Sequence, residues 1–115
     1  MIEIWHNPRC SKSRATLALL EDAQADVTVR RYLEDPPTAD ELRAALAALG
    51  LDPWDVTRLK DDGARDLGMA GWPRDDRERW IDALVAHPQL IERPIVIAGD
   101  RAVLGRPPES VRELL

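Results

Sequence analysis

Residues 2–33 read IEIWHNPRCSKSRATLALLEDAQADVTVRRYL, and three patterns follow one another in this stretch. Residues 2–6 form a short apolar run typical of a strand, which the loop at residues 7–10 ends. An apolar helical pattern then covers residues 11–23, and residues 27–33 alternate β-branched and polar side chains like a second strand. This order predicts a βαβ unit whose first strand is joined to its helix by the 7–10 loop.

The rest of the chain predicts several helices and a hairpin. Thr38 and Glu41 form a capping-box signature at the start of a helix that carries Leu42, Ala45, Leu46 and Leu49 on one face and ends at Gly50. A short helix is predicted after Asp52 and would carry Trp54, Val56 and Leu59 inward. A further helix ends before Pro88, and residues 94–104 predict a hairpin. A last helix begins at residue 107 and offers Val111, Leu114 and Leu115 for packing. Residues 61–79 are polar and give only weak signals.

This element order decides the expected fold class. A βαβ half, a helical insertion and a ββα half predict an α/β protein with a thioredoxin-like, mixed four-stranded sheet. The chain has 115 residues, which is close to the commonest size of one domain. We therefore expect a single domain spanning residues 1–115.

The composition excludes some classes of partner. The net charge of −5 disfavours nucleic acid, because backbone phosphates would be repelled. The start of the sequence has no basic and apolar leader, and no run of about 18 apolar residues occurs. We expect a cytoplasmic protein with no nucleic-acid and no membrane partner.

The single cysteine, Cys10, is either an inert buried thiol or a reactive one. No acidic residue lies between Glu3 and Glu21, and the bases in this window are His6, Arg9, Lys12 and Arg14. A cysteine before a helix also feels the helix dipole, so both influences favour the thiolate. The free N–H groups at the helix start would bind an oxyanion above Cys10, and they belong to Ser11, Lys12 and Ser13.

The motifs around Cys10 resemble those of a known family. The spacing His6-x-x-x-Cys10-x-x-x-Arg14 lies in the string HNPRCSKSR, and the similarity continues through YLEDPPTADEL, TRLK, HPQLIERPIVI and GRPPESV. In this respect the chain is similar to the glutaredoxin-coupled arsenate reductases, the ArsC-like family, within the thioredoxin-like superfamily. Because it stops soon after GRPPESV and has the bulky Arg9 before Cys10, it resembles a short branch.

The resemblance implies a site and a reaction. The catalytic residues would be Cys10, His6 and Arg14, and the arsenate oxygens would be held by Arg58, Arg93 and Arg106. Cys10 would attack arsenate, glutathione would add as an external reductant, and glutaredoxin would complete the reduction to arsenite. The resemblance also implies a cis Arg93–Pro94 bond, no bound cofactor and no metal. The lone cysteine agrees with an external thiol, since resolution needs a second sulfur.

Three interpretations stay open at this stage. The chain could be an Spx-type redox-responsive regulator that binds RNA polymerase, although Ser13 stands where such regulators carry a second cysteine. It could also be a glutathione-dependent thiol-disulfide oxidoreductase whose arginines bind glutathione carboxylates. His6 could either hydrogen-bond near the thiolate or simply end its strand, and His87 is interpreted as structural.

Overall fold

The computed structural model describes all 115 residues, and its centre is one mixed sheet of four strands. The strands are β1 (Ile2–Trp5), β2 (Val27–Arg30), β3 (Ile95–Ala98) and β4 (Arg101–Leu104), in the spatial order β2-β1-β3-β4. β1 pairs parallel with β2 and antiparallel with β3, and β3 pairs antiparallel with β4. The predicted fold class, a thioredoxin-like sheet with a helical insertion, is confirmed.

Four α-helices and four short 3₁₀ helices surround the sheet. The α-helices are α1 (Ser11–Asp22), α2 (Ala39–Leu49), α3 (Asp62–Leu67) and α4 (Arg77–Ala86). The 3₁₀ helices are Pro53–Val56, Met69–Gly71, Pro88–Leu90 and Pro108–Leu114. No helix is both long enough and apolar enough to cross a membrane.

Alternation along β1 and β3 divides the core between the two faces of the sheet, because successive strand side chains point to opposite sides. Ile4 and Val96 belong to a small cluster that also contains Leu20 of α1 and Val111 of the last 3₁₀ helix. The larger cluster covers the other face and is built around Trp5, Tyr32, Leu42, Leu46, Val56, Trp80, Leu84 and Ile95. The insertion therefore buries one face of the sheet, and the βαβ helix buries the other.

Helix α2 shows how local sequence sets an element. The Thr38 side chain accepts a hydrogen bond from the backbone N–H of Glu41 at 3.1 Å, and the Glu41 carboxylate accepts one from the N–H of Thr38 at 3.0 Å. Gly50 ends the helix with a φ of 69°, in the left-handed region that favours glycine. The predicted capping box and helix end are confirmed.

Three sequence expectations need correction. β2 ends at Arg30 rather than at residue 33, because the N–H groups of Glu34 and Asp35 both bond to the carbonyl of Arg31 and close a turn. The predicted short helix stops at Val56, so Leu59 packs on the core from beyond it. Leu115 is 55% exposed, because the last 3₁₀ helix turns Val111 inward instead.

Two loops meet next to the N-terminus of α1. The Arg93–Pro94 bond is cis, as predicted, and so is Arg106–Pro107. The N–H of Gly105 donates to the carbonyl of Pro94 at 2.9 Å, and a Cβ at residue 105 would collide with the Thr16 side chain and the Pro94 ring. This close approach fixes the loops that carry Arg93 and Arg106.

Candidate active site

Cys10 is the N-cap of α1. Its carbonyl accepts the first helical hydrogen bond, from the N–H of Arg14 at 3.0 Å, while its own backbone is extended with φ −94° and ψ 122°. The side chain is partly exposed. An N-cap side chain lies beside the N–H groups of the first helical turn, which have no partner within the helix. The predicted position of Cys10 at the junction of strand and helix is confirmed.

The surroundings of Cys10 favour its thiolate. Burial alone would raise the pKa of the thiol, but the backbone N–H of Ser13, the Arg93 side chain and the backbone N–H of Lys12 each lower it. The positive charge of Arg93 adds to this effect, and the pKa of Cys10 lies below its ordinary value. Hydrogen bonds and charge that favour the ionised form therefore outweigh desolvation.

The loop before Cys10 is held by a network of polar groups, of which His6, Asn7 and Ser13 are buried. The Ser13 hydroxyl accepts from the N–H of Asn7 at 3.0 Å and lies 2.7 Å from Nδ1 of His6. The Asn7 side-chain oxygen accepts from the N–H of Arg9 at 3.0 Å, and the Arg14 guanidinium donates to the carbonyl of Pro8 at 2.9 Å. These bonds fix the loop and so fix the sulfur.

His6 makes its side-chain hydrogen bond with Ser13 and not with the sulfur. Its hydrogen bond is with the hydroxyl of Ser13, whose backbone N–H is the group that reaches Cys10. Burial lowers the pKa of His6, and the charges of Arg31 and Arg14 lower it further. His6 is therefore mostly neutral at pH 7, so it supports the loop rather than supplying positive charge to the thiolate.

The predicted site residues at the start of α1 make different contacts from those expected from the sequence. Lys12 and Ser13 offer backbone N–H groups to the sulfur, but the Ser13 side chain is occupied by His6 and Asn7. Ser11 is exposed and makes no side-chain hydrogen bond. Arg14 donates to the Pro8 carbonyl, and the guanidinium that lowers the pKa of Cys10 comes from Arg93, not from its neighbours in sequence.

Arg58 and Arg106 meet in a neighbouring cavity of about 480 Å³. A bridge between Thr57 and Ile91 carries Arg58 there, and the N–H of Arg58 donates to the carbonyl of Leu90 at 2.7 Å. Arg106 donates from Nη1 to the carbonyl of Arg93 at 3.1 Å, which joins its loop to the residue beside Cys10. The three arginines therefore lie at one end of the molecule, and Arg93 is the one among them that lowers the pKa of Cys10.

Two carboxylates accompany Arg58 and Arg106. Asp61 Oδ2 accepts from Nη1 of Arg58 at 3.1 Å, and Glu92 Oε2 lies 3.4 Å from Nε of Arg106. The same cavity also contains Lys60. An incoming oxyanion would thus meet guanidinium groups that already have partners, and it would compete with those carboxylates.

Comparison with known proteins assigns the chain to a family. The model described as the ArsC family matches residues 5–114. The chain belongs to the ArsC family. It is 53% identical over 99% of its length to the "Uncharacterized protein in glnII region" of Streptomyces viridochromogenes, covering 98% of that protein. It is 44% identical to "Arsenate reductase" of Neisseria meningitidis, over 99% of this chain and 97% of the relative.

A solved structure extends the likeness of this ArsC-family protein to the fold. "Arsenate reductase from Vibrio cholerae" superposes with a TM-score of 0.92 at 42% identity, over 99% of this chain and 97% of that one. The resemblance carried by the motifs around Cys10 is thereby confirmed at the level of family and fold.

Sequence reasoning missed two kinds of residue in this ArsC-family site. The counter-ions Asp61 and Glu92 could not be identified from the sequence, because acidic residues are common in this chain. Only the fold shows which of them face arginines. Tyr32 was interpreted only as part of a strand, yet it is 1% exposed and lies close to Cys10, Arg93 and Arg58. Tyr32 is the only tyrosine of the chain, and the sequence offers no other feature that sets it apart.

Proposed function

We propose that this protein is an oxidoreductase that reduces arsenate to arsenite, with glutathione and glutaredoxin as its electron donors. The observation that carries the proposal is the position of Cys10 as the partly exposed N-cap of α1, where first-turn N–H groups and the Arg93 side chain lower its pKa. The names of the relatives support the choice of arsenate. A thiolate beside backbone N–H groups and a guanidinium suits attack on a tetrahedral oxyanion.

The first chemical step forms an S–As bond. The Cys10 thiolate attacks arsenic, one As–O bond breaks, and the leaving oxygen takes up protons and departs as water. Arg93 and the N–H groups of Lys12 and Ser13 hold the remaining oxygens, and Arg58 and Arg106 neutralise charge from the neighbouring cavity. Arsenic remains As(V), now linked to Cys10.

The later steps need thiols from outside, because the chain has one cysteine. The thiol of glutathione displaces a second oxygen as water and forms an As–S bond. A glutaredoxin thiolate then attacks the glutathione sulfur, a mixed disulfide forms, and the electron pair of the broken As–S bond reduces arsenic to As(III). Hydrolysis of the bond to Cys10 releases arsenite and restores the thiol.

A second cavity offers a place for the external thiol. It has a volume of about 420 Å³, and Arg93 and His6 line it together with Arg9, Arg31, Leu33 and Glu34. Arg9 and Arg31 suit the carboxylates of glutathione, and Glu34 suits its ammonium group. This cavity also favours the second candidate, a glutathione-dependent thiol-disulfide oxidoreductase, because it would serve that reaction equally.

A coupled assay tests the proposal and separates the candidates. NADPH consumption is followed with glutathione, glutaredoxin and glutathione reductase, with and without arsenate. We expect arsenate-dependent turnover by the wild type and none by Cys10→Ser, with phosphate and sulfate acting as competing anions. Turnover of a small disulfide without any turnover of arsenate would contradict the proposal and favour the oxidoreductase, and full activity of Cys10→Ser would exclude the mechanism.

A further inference from the structure

Two buried polar atoms near Cys10 lack a hydrogen-bond partner. They are the hydroxyl oxygen of Tyr32 and Nε of Arg93. Tyr32 is 1% exposed, so bulk water does not satisfy its hydroxyl. Buried polar groups are nearly always paired, and an unpaired one costs free energy, so two such atoms in one place need an explanation.

Both atoms belong to the surroundings of the sulfur. The Arg93 side chain and its positive charge lower the pKa of Cys10, and the charges that act on the Tyr32 hydroxyl are those of Arg93, Cys10 and Arg58. Tyr32 reaches this place because β2 ends at Arg30 and the turn that follows directs the ring into the core. The hydroxyl therefore lies near the meeting point of the thiolate and the guanidinium groups.

The Tyr32 hydroxyl is available as a donor. Burial raises the pKa of Tyr32, which outweighs the lowering by the charge of Arg93, so the group stays protonated at neutral pH. The Asn7 side chain also acts on the Tyr32 hydroxyl and lowers its pKa, and the oxygen of that amide already accepts from the N–H of Arg9. What remains of the Asn7 amide is its NH₂ group, which has no acceptor to offer to the Tyr32 proton.

We propose that Tyr32 is a substrate-binding residue whose hydroxyl donates a hydrogen bond to an oxygen of a tetrahedral oxyanion held beside Cys10 and Arg93. Nε of Arg93 supplies a second donor to the same anion. The inference rests on the proposed function in that the anion is arsenate, or phosphate or sulfate of the same shape. A binding site made of donors alone selects ligands that present unprotonated oxygens.

The test compares Tyr32→Phe with the wild type. Because Cys10 is the only cysteine, the rate of alkylation by iodoacetamide reports on it alone, and the probes are arsenate, phosphate and sulfate. We expect each bound anion to protect the wild-type thiol, and Tyr32→Phe to need about tenfold to hundredfold more anion for equal protection. The KM for arsenate should rise by a similar factor.

Stability distinguishes binding from a structural role. No protein group accepts a hydrogen bond from this hydroxyl, so Tyr32→Phe should unfold at about the same temperature as the wild type. Thr28→Val, which removes an exposed hydroxyl on β2, serves as the control and should bind each anion like the wild type. A lower unfolding temperature with unchanged protection would identify Tyr32 as a structural residue and overturn the inference.

The remaining outcomes separate the two proposals. If the wild type is protected and Tyr32→Phe is protected equally, the role of Tyr32 is refuted while arsenate reduction stands. If the wild type reduces no arsenate but phosphate protects it, and Tyr32→Phe weakens that protection, the proposed function fails and the role of Tyr32 stands. If no anion protects the wild type, the role of Tyr32 is also overturned.

Discussion

The charged side chain that lowers the pKa of Cys10 belongs to a residue that is far away in sequence. The Arg93 side chain lowers the pKa of Cys10, whereas Arg14, one helical turn from Cys10, donates to the Pro8 carbonyl. The two arginines therefore differ in function although both are cations near the same loop. Arg93 acts on the thiolate directly, and Arg14 acts by fixing the backbone that carries it.

This difference can be measured through the reactivity of the thiol. The pH midpoint of Cys10 alkylation should lie below that of a cysteine in an unstructured peptide, because the folded protein stabilises the thiolate. Arg93→Ala should move the midpoint up toward the peptide value, since it removes both a hydrogen bond and a positive charge. Arg14→Ala serves as the matched control and should move it less. An equal shift in the two variants would contradict the assignment.

At the scale of the element, the capping box of α2 is linked to β2. Arg30 of β2 donates from Nη2 to Glu41 at 3.2 Å, while the same carboxylate accepts from the N–H of Thr38. The Arg30 side chain, followed by the Thr38 backbone N–H, lowers the pKa of Glu41 to about 2. The helix start and the edge strand are thus held together by one ionised carboxylate.

The pH dependence of stability follows from this shift. A carboxylate whose folded pKa is about 2 stabilises the protein fully above its unfolded pKa of about 4.5, and this contribution is lost as the pH falls between those values. Glu41→Gln should therefore lower the free energy of unfolding at pH 7 by about 1 kcal/mol, since the group is largely exposed to solvent. Urea unfolding at pH 7 and pH 3 measures the deficit, which should shrink at pH 3. A constant deficit would exclude ionisation as its cause.

A second prediction at this scale concerns the loop after β4. Gly105→Ala would place a methyl group against the Thr16 side chain and the Pro94 ring, so we expect a loss of about 1–3 kcal/mol of unfolding free energy. Gly71→Ala is the matched control, because nothing lies within 4 Å of a Cβ at that position. Thermal or urea unfolding of both variants gives the comparison. Equal stability of the two would show that the loops can separate without cost.

For the whole molecule, short-range patterns were enough to predict most elements but not how they meet. The capping box at Thr38 and the two apolar runs around Gly99 each lie within one element or one turn, so they could be found in the sequence. The end of β2 was missed because the alternation continues past Arg30, and the turn depends on backbone bonds to Arg31. Composition cannot show such bonds.

The candidate site depended on contacts between distant parts of the chain. Cys10 could be placed from its position before a helix, but the positive charge around it was predicted to come from the neighbouring bases His6, Arg9, Lys12 and Arg14. Only the resemblance selected Arg58, Arg93 and Arg106, because no local feature separates them from the other arginines. Asp61 and Tyr32 were found only in the folded chain, where they lie beside Arg58 and near Cys10.

The β3–β4 hairpin separates two ends of the molecule. Arg93 precedes β3 and Arg106 follows β4, whereas the Gly99-Asp100 turn lies at the opposite end of strands that are four residues long. Asp100 is exposed, and Gly99 already supplies the left-handed backbone with a φ of 64°. A dye or a surface tether attached at position 100 would leave the reacting sulfur free, which makes this tip a suitable handle for immobilising the protein on a sensor.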